Sequence, residues 1–268
     1  MTSAASGRLG RWTLYVLGVL ILIFLVLPTL IVIPMSFSPG NYLEFPPQGF
    51  STRWYVAYFT DSSWIDATLF SLQIAALTTI VSAVIGTMGS IALVRGDVPM
   101  PDTLTAILLA PLIVPHVVVA IAVYFQFAPL GLVGTRLGFV LIHTALAVPY
   151  VVLVVTAALQ RLPPSYEMAA LNLGASRLGA FRAVTLPLIA PAIGAGSIFA
   201  FLASFDETVV AFFISGVEHK TITRKMMEDI EFNLSPVIAA ASTIFVVATV
   251  LVMMIGTQAR QQSGGSVT

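Results

Sequence analysis

Apolar residues fill six long stretches of this chain that contain no Asp, Glu, Lys or Arg: 12–43, 67–94, 103–135, 137–160, 183–205 and 232–259. Each exceeds the ~20 residues an α-helix needs to cross a ~30 Å hydrocarbon core. None shows the apolar/polar alternation of an outer-membrane barrel strand. The pattern therefore predicts six membrane-spanning helices. Turn residues trim their ends. Pro39, Gly40, Pro46 and Pro47 close the first helix near Ser36, and the glycines of 130–134 close the third. The fifth is expected to run on past two acids to Ser215. The expected helices are then about 12–36, 66–94, 103–128, 137–160, 187–215 and 235–258, in one transmembrane domain over 1–268 with a polar loop at 163–186.

That loop is the most patterned polar stretch. Pro163-Pro164 stops the fourth helix, because proline lacks the backbone donor a helix interior needs. Ser165 is the expected N-cap of a short helix, with Glu167 in its first turn against the helix dipole. Tyr166, Ala169, Ala170 and Leu173 share one face, with small residues in the middle. Gly174 fits the left-handed position that ends a helix. Ser176 can cap a second short helix carrying Arg177, Phe181 and Arg182, and Leu186-Pro187 opens the fifth span. The expected unit is a helix–turn–helix at the membrane surface. By patterning alone it could equally be an interfacial hairpin whose arginines meet lipid phosphates.

Composition agrees with a membrane protein. Of 268 residues, 58% are hydrophobic and 9% charged, against roughly 25% charged in soluble domains. The net charge is zero and gives no basic excess for nucleic acid. With no cysteine there is no disulfide or thiolate site. Arg8 and Arg11 before an apolar run imitate a signal peptide, but the run is too long for that and is expected to be a retained helix.

Six spans put both termini on one side. If that side is inside, the inner segments carry seven positive residues (Arg8, Arg11, Arg95, Arg161, Arg177, Arg182, Arg260) against three acids (Asp97, Asp102, Glu167). The outer ones carry five positive residues against seven acids. The bias follows the positive-inside rule and puts the 163–186 loop inside. The charged stretch 216–234 is then external, as a docking surface for a binding protein or an ordinary interfacial helix.

Asp206 and Glu207 interrupt the fifth apolar stretch. Asp206 lies 19 residues beyond Pro187, about 28 Å at 1.5 Å per residue, near the outer edge of the hydrocarbon. Carboxylates at such depth mark a path or a paired site. One reading has them attract a cationic substrate at the outer mouth; the other has them bonded to backbone and to Arg224 or Lys225. His116 and His143 read as packing histidines more readily than as ligands. Pro111, Pro115, Pro149 and Pro191 kink helices, and Gly86, Gly89 and Ser90 form a small-residue packing stripe.

The spacing of Ala169-Ala170, three residues, Gly174, nine residues, Val184-Thr185-Leu186-Pro187 resembles the loop motif of ABC-importer permeases, Glu-Ala-Ala-x3-Gly-x9-Ile-x-Leu-Pro. Met168 stands in the motif's Glu position, with Glu167 one place early, and Val184 replaces Ile. The runs 45–55, 142–150 and 204–213 are similar to the first external loop, fourth helix and fifth helix of the spermidine/putrescine-type permeases, in particular their second, C-type, subunit. The resemblance implies an all-α type I importer permease in a bacterial inner membrane, with both termini cytoplasmic. It implies a coupling loop that sits in a cleft of an ATPase, its contacts made by Glu167, Met168, Ala169, Ala170, Leu173, Gly174 and Ala175. It also implies a second permease subunit, two ATPase subunits that hold ATP and Mg, an extracytoplasmic solute-binding protein, and a polyamine-like cation passing Asp206 and Glu207.

No nucleotide motif stands in this chain. Its only lysines, Lys220 and Lys225, do not follow glycine as a P-loop lysine does. No catalytic residue, metal site or cofactor of its own is expected, and energy must come from a partner or an ion gradient. An ion-coupled secondary transporter using Asp206 and Glu207 is the alternative; six helices without an inverted repeat of broken helices speak against it.

Overall fold

The computed structural model describes residues 3–216 and 218–264, with side chains over 11–216 and 218–251. All its regular elements among the described residues are helical. Four helices are long and apolar enough to cross a membrane, and one bent pair adds a fifth span if it is counted as one. The expected sixth falls on α12 (Val237–Gly264), whose described apolar part is Val237–Leu251. The side chains of Arg8 and Arg260, both used in the charge count, lie outside the described residues.

The chain divides into two compact units. The first holds residues 1–65 and 226–268. In it α1 (Ser3–Met35) packs on α12, which also meets α2 (Arg53–Thr60). Val237 through Ala241 of α12 are buried, while the apolar run Arg11–Met35 buries no side chain within the chain. The connection after α1 is held by its own side chains. Trp54 Nε1 donates to the Ser38 carbonyl at 2.9 Å, Ser36 and Tyr55 share a 2.6 Å hydrogen bond, and Phe37 stacks on Phe50.

The second unit, residues 66–225, is built around α6 (Arg136–Arg161), flanked by α3 (Ser62–Arg95) and α9 (Leu186–Phe205). Small residues set how closely they approach. A Cβ on Gly86 would lie 2.7 Å from Val151 Cβ, and one on Gly196 would lie 3.0 Å from Val151 Cα. Val151 is thus gripped from both sides. Ser90 donates to Gly86 O at 2.8 Å and also faces Val152 O at 3.3 Å. The buried positions of α3 include Ser71, Ile74, Thr78, Ser82 and Ser90, a helical stripe, while Leu77, Ile80, Val84 and Met88 point outward.

Two expected spans are broken. The third, expected as one kinked span over 103–128, splits into α4 (Pro101–Leu109) with a 3₁₀ turn at Ala110–Leu112, and α5 (His116–Phe127), bent by 94°. Pro115 causes the break: it has no N–H for the helical ladder and its ring crowds the carbonyl four residues back. The fifth, expected over 187–215, ends at Phe205 and resumes as α10 (Val209–Ile214). Here the acids end the helix instead of riding along it. A further short helix, α11 (Ile222–Phe232), follows, with Ile222 N–H donating to Ser71 Oγ at 2.7 Å.

Candidate functional site

The 163–186 hairpin folds from local rules. Its first helix, α7, covers Ser165–Asn172. Ser165 is not its cap, contrary to expectation: Pro164 takes that place with φ −59°, and no side chain caps the helix. Proline's fixed φ already suits the first helical turn, so the helix begins one residue early. That moves Glu167 to the third helical position, where a carboxylate can turn back to the capping residue's own N–H. Proline has none. Glu167 Oε1 instead meets Arg95 Nε at 3.1 Å, and Arg95 Nη2 donates to Leu162 O at 2.6 Å.

The C-terminal end matches expectation. Gly174 has φ +90°, Ala175 N–H donates to Ala170 O at 3.1 Å and Gly174 N–H to Leu171 O at 3.0 Å. This is the Schellman closure, and glycine adopts its left-handed residue without strain. Ser176 then caps α8 (Arg177–Ala180), its Oγ accepting from Gly179 N at 3.1 Å. A wide π turn over Phe181–Thr185 leads into α9, where Leu186 N–H reaches Phe181 O and Pro187 stands in the first turn.

What α7 presents matters most. None of its residues is buried. Leu173 is 90% exposed and Met168 60%, with Tyr166, Leu171 and Leu178 also open. Ala169 is exposed and Ala170 and Ala175 are half-buried. Nothing within 4 Å would meet a Cβ on Gly174. A rigid turn thus holds apolar side chains clear of the rest of its unit.

The second place is the break between α9 and α10. Glu207 is 6% exposed and fully engaged. Its Oε1 accepts Val210 N–H at 2.8 Å, capping α10, and its Oε2 meets His116 Nδ1 at 2.8 Å. The Thr223 hydroxyl donates to Glu207 O at 3.0 Å. The half-exposed His116 starts α5, so this one contact joins the breaks of two helices. Asp206 is exposed, and among the described residues no side chain pairs with its carboxylate. Arg224, one expected partner of the acids, instead lies over the Phe212 ring at 4.2 Å. His143 behaves as a packing histidine: it is buried and its Nδ1 shares a 2.8 Å hydrogen bond with Ser204 Oγ.

Arg95 and His116 are the two residues in these sites that sequence reasoning did not assign. In the sequence Arg95 stands out only as an inner positive charge, and His116 as a packing residue more readily than as a ligand. Neither partner is a sequence neighbour, so no local pattern links them.

Helices long and apolar enough to cross a membrane, a helix–turn–helix between two of them and a paired acid at a helix break define a membrane-embedded helical subunit. Residues 87–262 match the family described as binding-protein-dependent transport system inner membrane component. The chain belongs to that family and is the permease subunit of an ABC importer, an inner-membrane component that works with a solute-binding protein. It is similar to the putrescine transport system permease protein PotI of Escherichia coli K12, 32% identical over 236 residues, covering 85% of this chain and 84% of PotI. It is also similar to the spermidine/putrescine transport system permease protein PotC of the same organism, 30% identical over 248 residues, covering 91% and 92%. Among solved structures, a bacterial ABC transporter involved in importing the acidic polysaccharide alginate shares the fold. Its TM-score is 0.70 at 16% identity, covering 97% of this chain and 98% of that one.

Proposed function

We propose that this chain is one of two permease subunits that import a small cation of the polyamine class, powered by two ATPase subunits that bind ATP and Mg. The carrying observation is α7, an eight-residue helix with no buried residue whose exposed Met168 and Leu173 are held by a Schellman turn. Apolar side chains kept in the open on a rigid frame mark a partner surface. In this reading Met168, Ala169, Ala170, Leu173, Gly174 and Ala175 meet the ATPase, and Glu167 orients them. The hairpin and both termini are cytoplasmic, supported by the charge bias.

The substrate class rests on different ground. The relatives PotI and PotC carry putrescine and spermidine in their names. An open carboxylate on Asp206, near the end of a ~30 Å helix, is suited to meet an ammonium group, with Glu207 holding the break in shape beneath it. Focused negative charge raises the local concentration of a cation.

The test is co-purification with a co-expressed candidate ATPase and uptake into proteoliposomes, comparing the natural chain with Gly174→Trp. The large side chain occupies the open space at Gly174 and strains a φ of +90°. Association and ATP-driven uptake are both expected to be lost. Survival of both would end the docking reading, and uptake driven by an ion gradient without ATP would replace it with the secondary-transport one.

A further inference from the structure

Arg95 is the last residue of α3, and its one guanidinium group links that helix to two others. Through Nε it pairs with Glu167 of α7, through Nη2 it donates to Leu162 O at the C-terminal end of α6, and its own backbone belongs to α3. The Leu162 carbonyl is one of the acceptors a helix end leaves without an intrahelical donor. Arginine's planar fork can serve a carboxylate and a carbonyl together in fixed geometry; the compact ammonium of lysine cannot do so in the same way.

The two elements behind Arg95 are already locked together. Gly86 sits against Val151, and Ser90 bonds across to Val152 O. Between α6 and α7 there is only Leu162-Pro163-Pro164, and α7 buries nothing of its own. Without Arg95, α7 would be held by that short linker, whose Leu162 packs on the α6–α9 core, and by its contacts with α8 and the π turn at 181–185. The side chains of Arg95 and Glu167 are 18% and 26% exposed, a situation in which an ion pair adds little to stability. Its geometric effect is larger, because it fixes the angle at which α7 leaves α6.

We propose that Arg95 is a positioning residue for energy coupling: it ties the hairpin to the α3–α6 pair, so that a displacement of α7 moves those spans instead of being absorbed at Pro163-Pro164. This rests on the reading that the hairpin docks on an ATPase. It assigns Glu167 an intramolecular task, so this carboxylate is taken before any partner arrives.

The test uses the assembled transporter in proteoliposomes and reads assembly and coupling separately. Arg95→Met should leave ATPase association within about twofold, because the exposed face of α7 is untouched, while solute imported per ATP hydrolysed falls roughly tenfold. Arg95→Lys should recover part of that loss. Glu167→Gln should also lower coupling, and the double variant should be no worse than Arg95→Met, as residues acting through one contact are non-additive. Independently, the chain has no cysteine, so a spin label on Leu173→Cys reports hairpin motion in the permease itself, and Arg95→Met should increase it. Unchanged import per ATP in Arg95→Met, losses that multiply in the double variant, or an unaltered label would each overturn the proposal. Loss of assembly in Arg95→Met would also overturn it. Failure of the docking reading shows up elsewhere, as assembly that survives Gly174→Trp.

Discussion

The hairpin at 163–186 and the break at 205–209 both interrupt apolar chain with acids, yet they expose opposite things. In each, one glutamate is claimed inside the chain: Glu167 by Arg95, Glu207 by His116 and the Val210 N–H. What remains open differs. The hairpin leaves Met168 and Leu173 uncovered, whereas the break leaves the Asp206 carboxylate. The lesson is that the deeper and better-paired acid shapes the backbone, and its unpaired neighbour faces the outside world. Apolar exposure at one place suits a protein partner, and a bare charge at the other suits a small cation.

That contrast can be broken most forcefully at Leu173. Leu173→Asp puts a charge on the most exposed apolar position of the hairpin. Binding to the ATPase should weaken about 100-fold, in line with the loss of a central hot-spot contact, while thermal unfolding of the permease stays unchanged. A shift in unfolding would mean that Leu173 packs within the chain.

Glu207→Ala should act the other way round. It leaves the buried Val210 N–H at the start of α10 without its acceptor, so unfolding in detergent should show a loss of about 2 kcal/mol, typical of a buried donor left unsatisfied. ATPase association should persist. A variant as stable as the natural chain would deny Glu207 its structural part.

Asp206→Asn completes the pair of acids. Stability should hold, and uptake of a cationic solute should drop about tenfold, the equivalent of about 1.4 kcal/mol. Equal uptake would remove Asp206 from the path.

The smallest expected effect is Ser176→Ala, which deletes the Oγ that accepts Gly179 N–H. A capping serine is worth about 1 kcal/mol, and here the effect should show as faster amide exchange confined to residues near 176–180. Exchange that quickens throughout the hairpin would make the cap part of a larger cooperative unit.

Much of the hairpin was legible because its logic is local. Gly174, Ser176 and Pro187 each act within five residues, and the structure finds the left-handed turn, the cap and the helix start where their chemistry puts them. The exception, Ser165, lost its capping place because Pro164 could begin the helix without help. The apolar stretches likewise announced membrane helices, but where those helices break was harder to read. Pro115 was visible as a kink, whereas a 94° turn depends on what the two arms pack against. The acids at 206–207 ended a helix that propensity alone would have continued, because Glu207 gains a hydrogen-bonding partner, His116, from another element. Arg95 and Glu167 are 72 residues apart, and no periodicity carries information over that distance.

Val151 between Gly86 and Gly196 carries an evolutionary consequence. Its two neighbours are held small for different reasons: Gly86 faces the valine side chain, whereas Gly196 faces the Val151 backbone Cα, which no substitution at 151 removes. A larger residue at 86 is therefore expected to appear with a smaller one at 151, while 196 stays glycine for as long as the helices keep their spacing. Among diverging permeases of this kind positions 86 and 151 should vary together against a fixed 196, and that pattern would record the spacing of the helices without any structure being solved.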